Sequence, residues 1–165
     1  MSRLSLTALR KMKKAQEKIA VLTAYDASFS HALEQAGVEV ILVGDSLGMV
    51  IQGQESTLPV TVDDMIYHTG NVVRGSEKPF VIADMPFMSF ANADQAIANA
   101  ARLMAEGGAQ MVKLEGGAVI ADTVEQLTAR GIPVCAHLGL LPQSVHRLGG
   151  YIVQGREESA AEALL

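Results

Sequence analysis

Five side chains with chemistry to offer stand where short apolar runs give out: Asp45 after VEVILVG, Asp84 after PFVIA, Lys113 and Glu115 within QMVKLE, and His137 after IPVCA. Three carboxylates gathered in one place repel unless a cation joins them, and oxygen donors without a cysteine cluster suit Mg2+ better than Zn2+. A lysine beside that cation would neutralise the carboxylate of an anionic substrate. Backbone N–H groups in the Gly44 to Gly48 turn would add hydrogen bonds. Taken singly, each residue has a plainer reading. Asp45 suits an Asx-turn and Asp84 an ordinary turn before Met85 and Pro86. Glu115 with Lys113 suits a salt bridge at a sheet edge, and His137 a structural histidine. What raises the acids above these readings is their shared position at strand ends.

The elements that must position them follow from pattern. Ser5 to Lys14 has helical spacing of Leu6, Leu9 and Met12. Ile19 to Tyr25 reads as the first strand, followed by a helix capped by Asp26 or Ser28 that runs to Gln35 and ends at Gly37. Val38 to Val43 is the second strand, and Asp45 to Leu58 is too irregular to assign. Loops of that length inside compact domains are usually functional, so this one is expected to take part in closing over a substrate. Thr61 to Asp64 resembles a capping box opening a helix to about Arg74. Pro79 to Ala83, Gln110 to Leu114 and Ile132 to Ala136 read as strands, and Asn92 to Glu106 and Val119 to Ala129 as helices. After them come LGLLPQSVHRLGGYIVQG and a last helix just begun at Arg156 to Leu165.

Strand and helix alternating five times with short connections predict βαβ units and an all-parallel sheet in one domain, 1–165. In such sheets the carboxyl ends of the strands form the site, so residues far apart in sequence converge on one rim. Lys113 and Glu115, two apart in a strand, point to the same face, and Val112 and Leu114 to the other.

Composition sets the outer bounds. Hydrophobic residues make up 49% of the 165, aromatics only 4%, so the core is aliphatic, which favours helices on a parallel sheet. A net charge of −5 gives no electrostatic footprint for nucleic acid. The basic cluster Arg10, Lys11, Lys13, Lys14 and Lys18 reads as a solvated helix face. MSRLSLTALRKMKKAQEK lacks the apolar segment of a signal peptide, and no run approaches the roughly 18 apolar residues of a membrane helix. The lone Cys135 excludes an intramolecular disulfide framework, so a cytoplasmic protein is expected. His31, His68 and His146 have weaker claims than His137, and Met85, Met88, Met104 and Met111 read as core filler. No G-x-G-x-x-G dinucleotide fingerprint occurs.

Six motifs in register, TAYDASFSHALEQAG, VGDSLGMVIQG, TLPVTVDDMIYHT, ADMPFMSF, VKLEGG and CAHLGLLPQSV, resemble the ketopantoate hydroxymethyltransferase family from about Leu6 to Gly155. The resemblance implies a (β/α)8 TIM barrel of the phosphoenolpyruvate/pyruvate type, of which this chain supplies about the first five strands. It also implies a cytoplasmic homo-oligomer acting in pantothenate biosynthesis. The reaction so implied moves a hydroxymethyl group from 5,10-methylenetetrahydrofolate to 3-methyl-2-oxobutanoate, giving 2-dehydropantoate through a magnesium-stabilised enolate. Position by position, the family's metal-site acids match Asp45, Asp84 and Glu115, its substrate-carboxylate contacts Ser46 and Lys113, and the histidine near the substrate carbonyl His137. A related magnesium-dependent lyase or mutase of a 2-oxo acid is the alternative, against which LGLLPQSV and DSLGMVIQG weigh.

The sequence departs from the family in one respect. A (β/α)8 barrel takes roughly 200 residues or more, and the pattern here ends before a sixth strand. The family's general base, a glutamate after that strand, has no counterpart: Glu157, Glu158 and Glu162 fall in the last helix, at no strand end. The chain is expected to be part of a longer protein and, alone, to be an inactive magnesium-binding piece.

Overall fold

The computed structural model describes residues 3–164. The apolar runs pair as five parallel strands, β1 (Val21–Thr23), β2 (Val40–Val43), β3 (Phe80–Asp84), β4 (Met111–Glu115) and β5 (Val134–His137), ordered β1-β2-β3-β4-β5. Between and around them run α1 (Leu6–Lys14), α2 (Ala27–Gln35), α3 (Leu47–Val50), α4 (Val62–Gly75), α5 (Ala93–Ala105), α6 (Ala121–Ala129), α7 (Val145–Leu148) and α8 (Glu158–Glu162). The longer helices begin where side chains satisfy orphan amides. Ser5, Asp26 and Asn92 accept from the third residue beyond them, and Thr61 and Asp64 form a reciprocal capping box at 3.1 and 2.9 Å.

Alternation along the strands sorts side chains onto two faces. Ile41, Val43, Val81, Ala83, Val112 and Leu114 face the helices, where Met65 and Val72 of α4, Ala96, Ala100 and Leu103 of α5 and Leu127 of α6 cover them. Each fully buried Val, Leu or Ile there contributes about 1.5–3 kcal/mol, so this layer carries most of the stability. The opposite face holds a smaller cluster, Val40, Phe80, Ile82 and Met111, flanked by Leu42 and Cys135 and closed at its lower end by Leu4, Leu6 and Leu9. Sequential strand order with helices over one face is the wall of a barrel; a doubly wound sheet reverses its order at a switch point.

The inner rows turn polar as they rise. Asp84 follows Ile82 by two positions, Lys113 and Glu115 follow Met111 by two and four, and His137 follows Cys135 by two. The register sets Ile82 beside Met111, Asp84 beside Lys113 beside Cys135, and Glu115 beside His137. An apolar floor thus carries two polar layers at the carboxyl ends of the strands.

β3 and β4 keep the expected length but start and end one residue later, while β1, β2 and β5 are shorter than their apolar runs predict, β1 most of all, because it lies at the sheet edge with Val21 and Leu22 about half exposed. The segment from Asp45 to Leu58 contains the one-turn helix α3, and the helix expected from Val119 opens as a 3₁₀ turn over Ala118–Ile120. LGLLPQSVHRLGGYIVQG likewise folds into a 3₁₀ turn at Pro142–Ser144 and the short α7. Single turns offer too little periodicity to read, and α3 is held by the burial of Leu47 against its neighbours. The last helix is confined to Glu158–Glu162, and Leu165 lies outside the described residues. Among the described residues no helix is long and apolar enough to cross a membrane.

Candidate active site

Asp45, Ser46, Asp84, Lys113, Glu115 and His137 all line one cleft of about 330 Å³ at the carboxyl ends of the strands, with Leu42, Gly44, Met49, Thr57, Pro142 and Tyr151 completing its wall. Asp84, Lys113, Glu115 and His137 arrive there on the strands themselves. Asp45 and Ser46 arrive on the turn after β2, which comes close because Gly44 has no side chain: a Cβ there would lie 2.7 Å from Ser46 Oγ and 3.4 Å from Asp84 Oδ2. Gly48 does the same for α3, where a Cβ would meet Val60 Cγ2 at 2.6 Å.

The polar groups are interlocked. Lys113 Nζ donates to Asp84 Oδ1 in a close ion pair, and the Asp45 backbone N–H donates to Asp84 Oδ2 at 3.2 Å. Ser46 Oγ shares a 2.8 Å hydrogen bond with the Tyr25 hydroxyl. His137 Nδ1 lies 3.3 Å from Glu115 Oε1, without the alignment of a hydrogen bond. The segment after Asp45 reaches across the cleft, where the Tyr151 hydroxyl donates to Met49 Sδ at 3.5 Å.

Burial dominates the electrostatics. Asp45, Asp84 and Glu115 are each less than a tenth exposed. Burial pushes all three carboxyls upward, Asp84 to about 6, against the opposing pull of Lys113. Burial, helped by Lys113, lowers His137 below the ordinary histidine value. Three carboxylates against one ammonium leave an uncompensated negative charge, and the cleft-lining Thr57 hydroxyl, 2% exposed, has no hydrogen-bond partner among the described residues. An under-neutralised set of hard oxygens with an unsatisfied hydroxyl beside it fits a divalent cation. As placed, however, no three His, Cys, Asp or Glu side chains among the described residues close on a common point. Lys113 holds one oxygen of Asp84, and a residue the motifs did not single out, Gln143, holds one oxygen each of Asp45 and Glu115.

Gln143, Tyr25 and Thr57 are the site residues that sequence reasoning passes over. Gln143 lies inside LGLLPQSV, but a glutamine beside a proline carries no signal of burial. Tyr25 is placed by His68, whose Nδ1 donates to the Tyr25 carbonyl at 2.8 Å, so His68 serves the site's scaffold. His31 and His146 line no part of the cleft.

A family model described as Ketopantoate hydroxymethyltransferase matches residues 3–165. The chain is 71% identical over 164 residues to the 3-methyl-2-oxobutanoate hydroxymethyltransferase of Nitrosococcus oceani, covering 99% of this chain and 62% of that protein. It is 59% identical over 165 residues to the enzyme of the same name from Alteromonas mediterranea, covering 100% and 62%. It therefore spans about six tenths of the length of these curated relatives. Among solved structures, 2,3-dimethylmalate lyase, a member of the PEP mutase/isocitrate lyase superfamily, superposes with a TM-score of 0.65 at 18% identity, over 96% of this chain and 56% of that one. Phosphonopyruvate hydrolase in complex with oxalate and Mg++ superposes with a TM-score of 0.64 at 18% identity, over 79% and 50%. These likenesses give the fold alone: the parallel sheet with its alternating helices is part of a (β/α)8 TIM barrel.

Proposed function

Because the chain belongs to the ketopantoate hydroxymethyltransferase family, we propose that the complete protein transfers a hydroxymethyl group from 5,10-methylenetetrahydrofolate to 3-methyl-2-oxobutanoate, giving 2-dehydropantoate for pantothenate synthesis. The observation that carries this reading is the convergence of Asp45, Ser46, Asp84, Lys113, Glu115 and His137 on one cleft sized for a small 2-oxo acid. Asp45, Asp84 and Glu115 are the residues that would hold Mg2+. When bound, that cation draws electrons from the keto group and so eases loss of the neighbouring proton.

The chain's own residues do the rest of the binding. Lys113, already oriented by Asp84, supplies positive charge for the substrate carboxylate, and the Ser46 hydroxyl, positioned by Tyr25, adds a hydrogen bond. His137, held below the ordinary histidine value by burial, donates a hydrogen bond from a ring nitrogen toward the oxygen on which negative charge develops. The floor of buried Ile82 and Met111, with Leu42 partly buried beside them, limits access of water from below. We propose that the C3 proton is removed by the base that the family resemblance implies, a glutamate after a sixth strand.

Exposed Phe29, Val50 and Tyr67 offer apolar surface for a homo-oligomer, and the free, half-buried thiol of Cys135 suits the cytoplasm. The test is incubation of the complete protein with 3-methyl-2-oxobutanoate, methylenetetrahydrofolate and Mg2+, with 2-dehydropantoate measured directly. Appearance of that product is expected; its absence from a folded, magnesium-loaded protein overturns the reading.

A further inference from the structure

Gln143 joins three strand ends that the chain brings together from distant positions. It sits in the 3₁₀ turn after β5 and is 7% exposed. Its side-chain nitrogen donates to Asp45 Oδ2 at 2.8 Å and to the Met85 carbonyl at 2.9 Å, and its backbone N–H donates to Glu115 Oε2 at 3.0 Å. Both side-chain hydrogens are engaged by acceptors, which fixes which end of the amide is nitrogen. One oxygen of Asp45 and one of Glu115 are therefore drawn toward Gln143, leaving Oδ1 and Oε1 as the less encumbered oxygens. Asp84 is similarly engaged, by Lys113 at Oδ1 and by the Asp45 N–H at Oδ2.

Cations differ in what they ask of such a set. Ca2+ takes six to eight oxygens and readily accepts both oxygens of one carboxylate, whereas Mg2+ demands a small octahedron and keeps several waters, taking one or two carboxylates. A carboxylate oxygen that already accepts an N–H keeps a second lone pair, but the hydrogen bond fixes the carboxylate's orientation and so favours presenting the other oxygen alone over two-oxygen chelation. We propose that Gln143 is a positioning residue that restricts Asp45 and Glu115 to presenting one oxygen each, and thereby sets the preference of the cleft for Mg2+ over Ca2+. This rests on the reading of the cleft as a divalent-cation site and adds the residue that decides which cation it takes. It also accounts for the lack of three carboxylates closing on one point: the cleft offers few protein oxygens and leaves room for water and substrate.

The experiment is calorimetric titration of the complete protein with MgCl2 and, separately, CaCl2, for the native sequence and for Gln143→Met, which keeps length and the backbone N–H on Glu115 but removes the side-chain N–H groups that hold Asp45 and the Met85 carbonyl. Removing partners that orient metal ligands commonly changes affinity by about 10–100-fold, so the ratio of Mg2+ to Ca2+ affinity is expected to fall by at least about tenfold in the variant. A purely structural role would lower the melting temperature and leave that ratio unchanged; an unchanged ratio in folded Gln143→Met overturns the proposal while the cation reading stands. A native protein that binds neither cation overturns both. Should the variant not fold, infrared difference spectra of the native protein on adding Mg2+ decide: carboxylate bands of single-oxygen coordination support the proposal, and bands of two-oxygen chelation overturn it.

Discussion

Asp84 is held by an ammonium on one oxygen and a backbone N–H on the other, yet burial outweighs both and lifts its carboxyl to about 6 from an ordinary 3.8. Because the folded-state value is raised, the unfolded chain gives up this proton first. The stability that protonated Asp84 provides is full below about pH 4 and lost as pH rises through 6. Relative to Asp84→Asn, which cannot ionise, the metal-free protein should therefore lose up to about 3 kcal/mol between pH 4 and 7, a difference that urea unfolding across that range measures. Mg2+ should restore it by binding the folded state only. Lys113→Met removes the cation expected to meet the substrate carboxylate. Its binding of 3-methyl-2-oxobutanoate, followed by calorimetry in the complete protein, should weaken by about 2 kcal/mol, roughly 30-fold.

Among the elements, α4 and α3 show how local chemistry and tertiary packing divide the labour. The start of α4 is specified locally by the Thr61–Asp64 capping box. Thr61→Ala should cost about 1 kcal/mol in thermal or urea unfolding. Asp64 is held below the ordinary aspartate range chiefly by the Thr61 hydroxyl, so its contribution is present above about pH 4 and disappears as pH falls further. The one-turn α3 has no such signal and depends on packing of Leu47 and on the contact of Gly48 with Val60. Gly48→Ala should push α3 off its seat, costing about 1–3 kcal/mol of stability. It should also weaken 2-oxo-acid binding, because α3 begins directly after Asp45 and Ser46. A variant that binds the acid normally would separate this turn from the site.

For the molecule as a whole, the asymmetry between the two faces of the sheet matters most. One face is sealed by α4, α5 and α6; the other keeps an apolar floor and a polar rim between two open edges, β1 and β5. Open edges favour association, with Val21 and Leu22 of β1 about half exposed, and barrel closure removes them. Residues 3–165 produced alone should therefore bind a hydrophobic dye strongly and turn over no 3-methyl-2-oxobutanoate, whereas the complete protein should bind the dye weakly. Turnover by a polypeptide of verified 17.5 kDa mass would require a substitute base within this chain.

The sequence by itself determined the alternation of five apolar runs with capped helices, and with it the parallel sheet. Strand periodicity and cap chemistry are local, so each can be read from a few neighbouring residues. It also placed Asp45, Asp84, Lys113, Glu115 and His137 at one rim, since the carboxyl ends of parallel strands share a side. Only the tertiary structure decided what those groups do to one another. That Lys113 takes Asp84, that Tyr25 takes Ser46, and that Gln143 reaches Asp45 across 98 positions are facts of three-dimensional distance with no periodic trace. The order of the strands and the covering of one face alone made the sheet a barrel wall, because order and layering are set by packing between elements and not within any one of them.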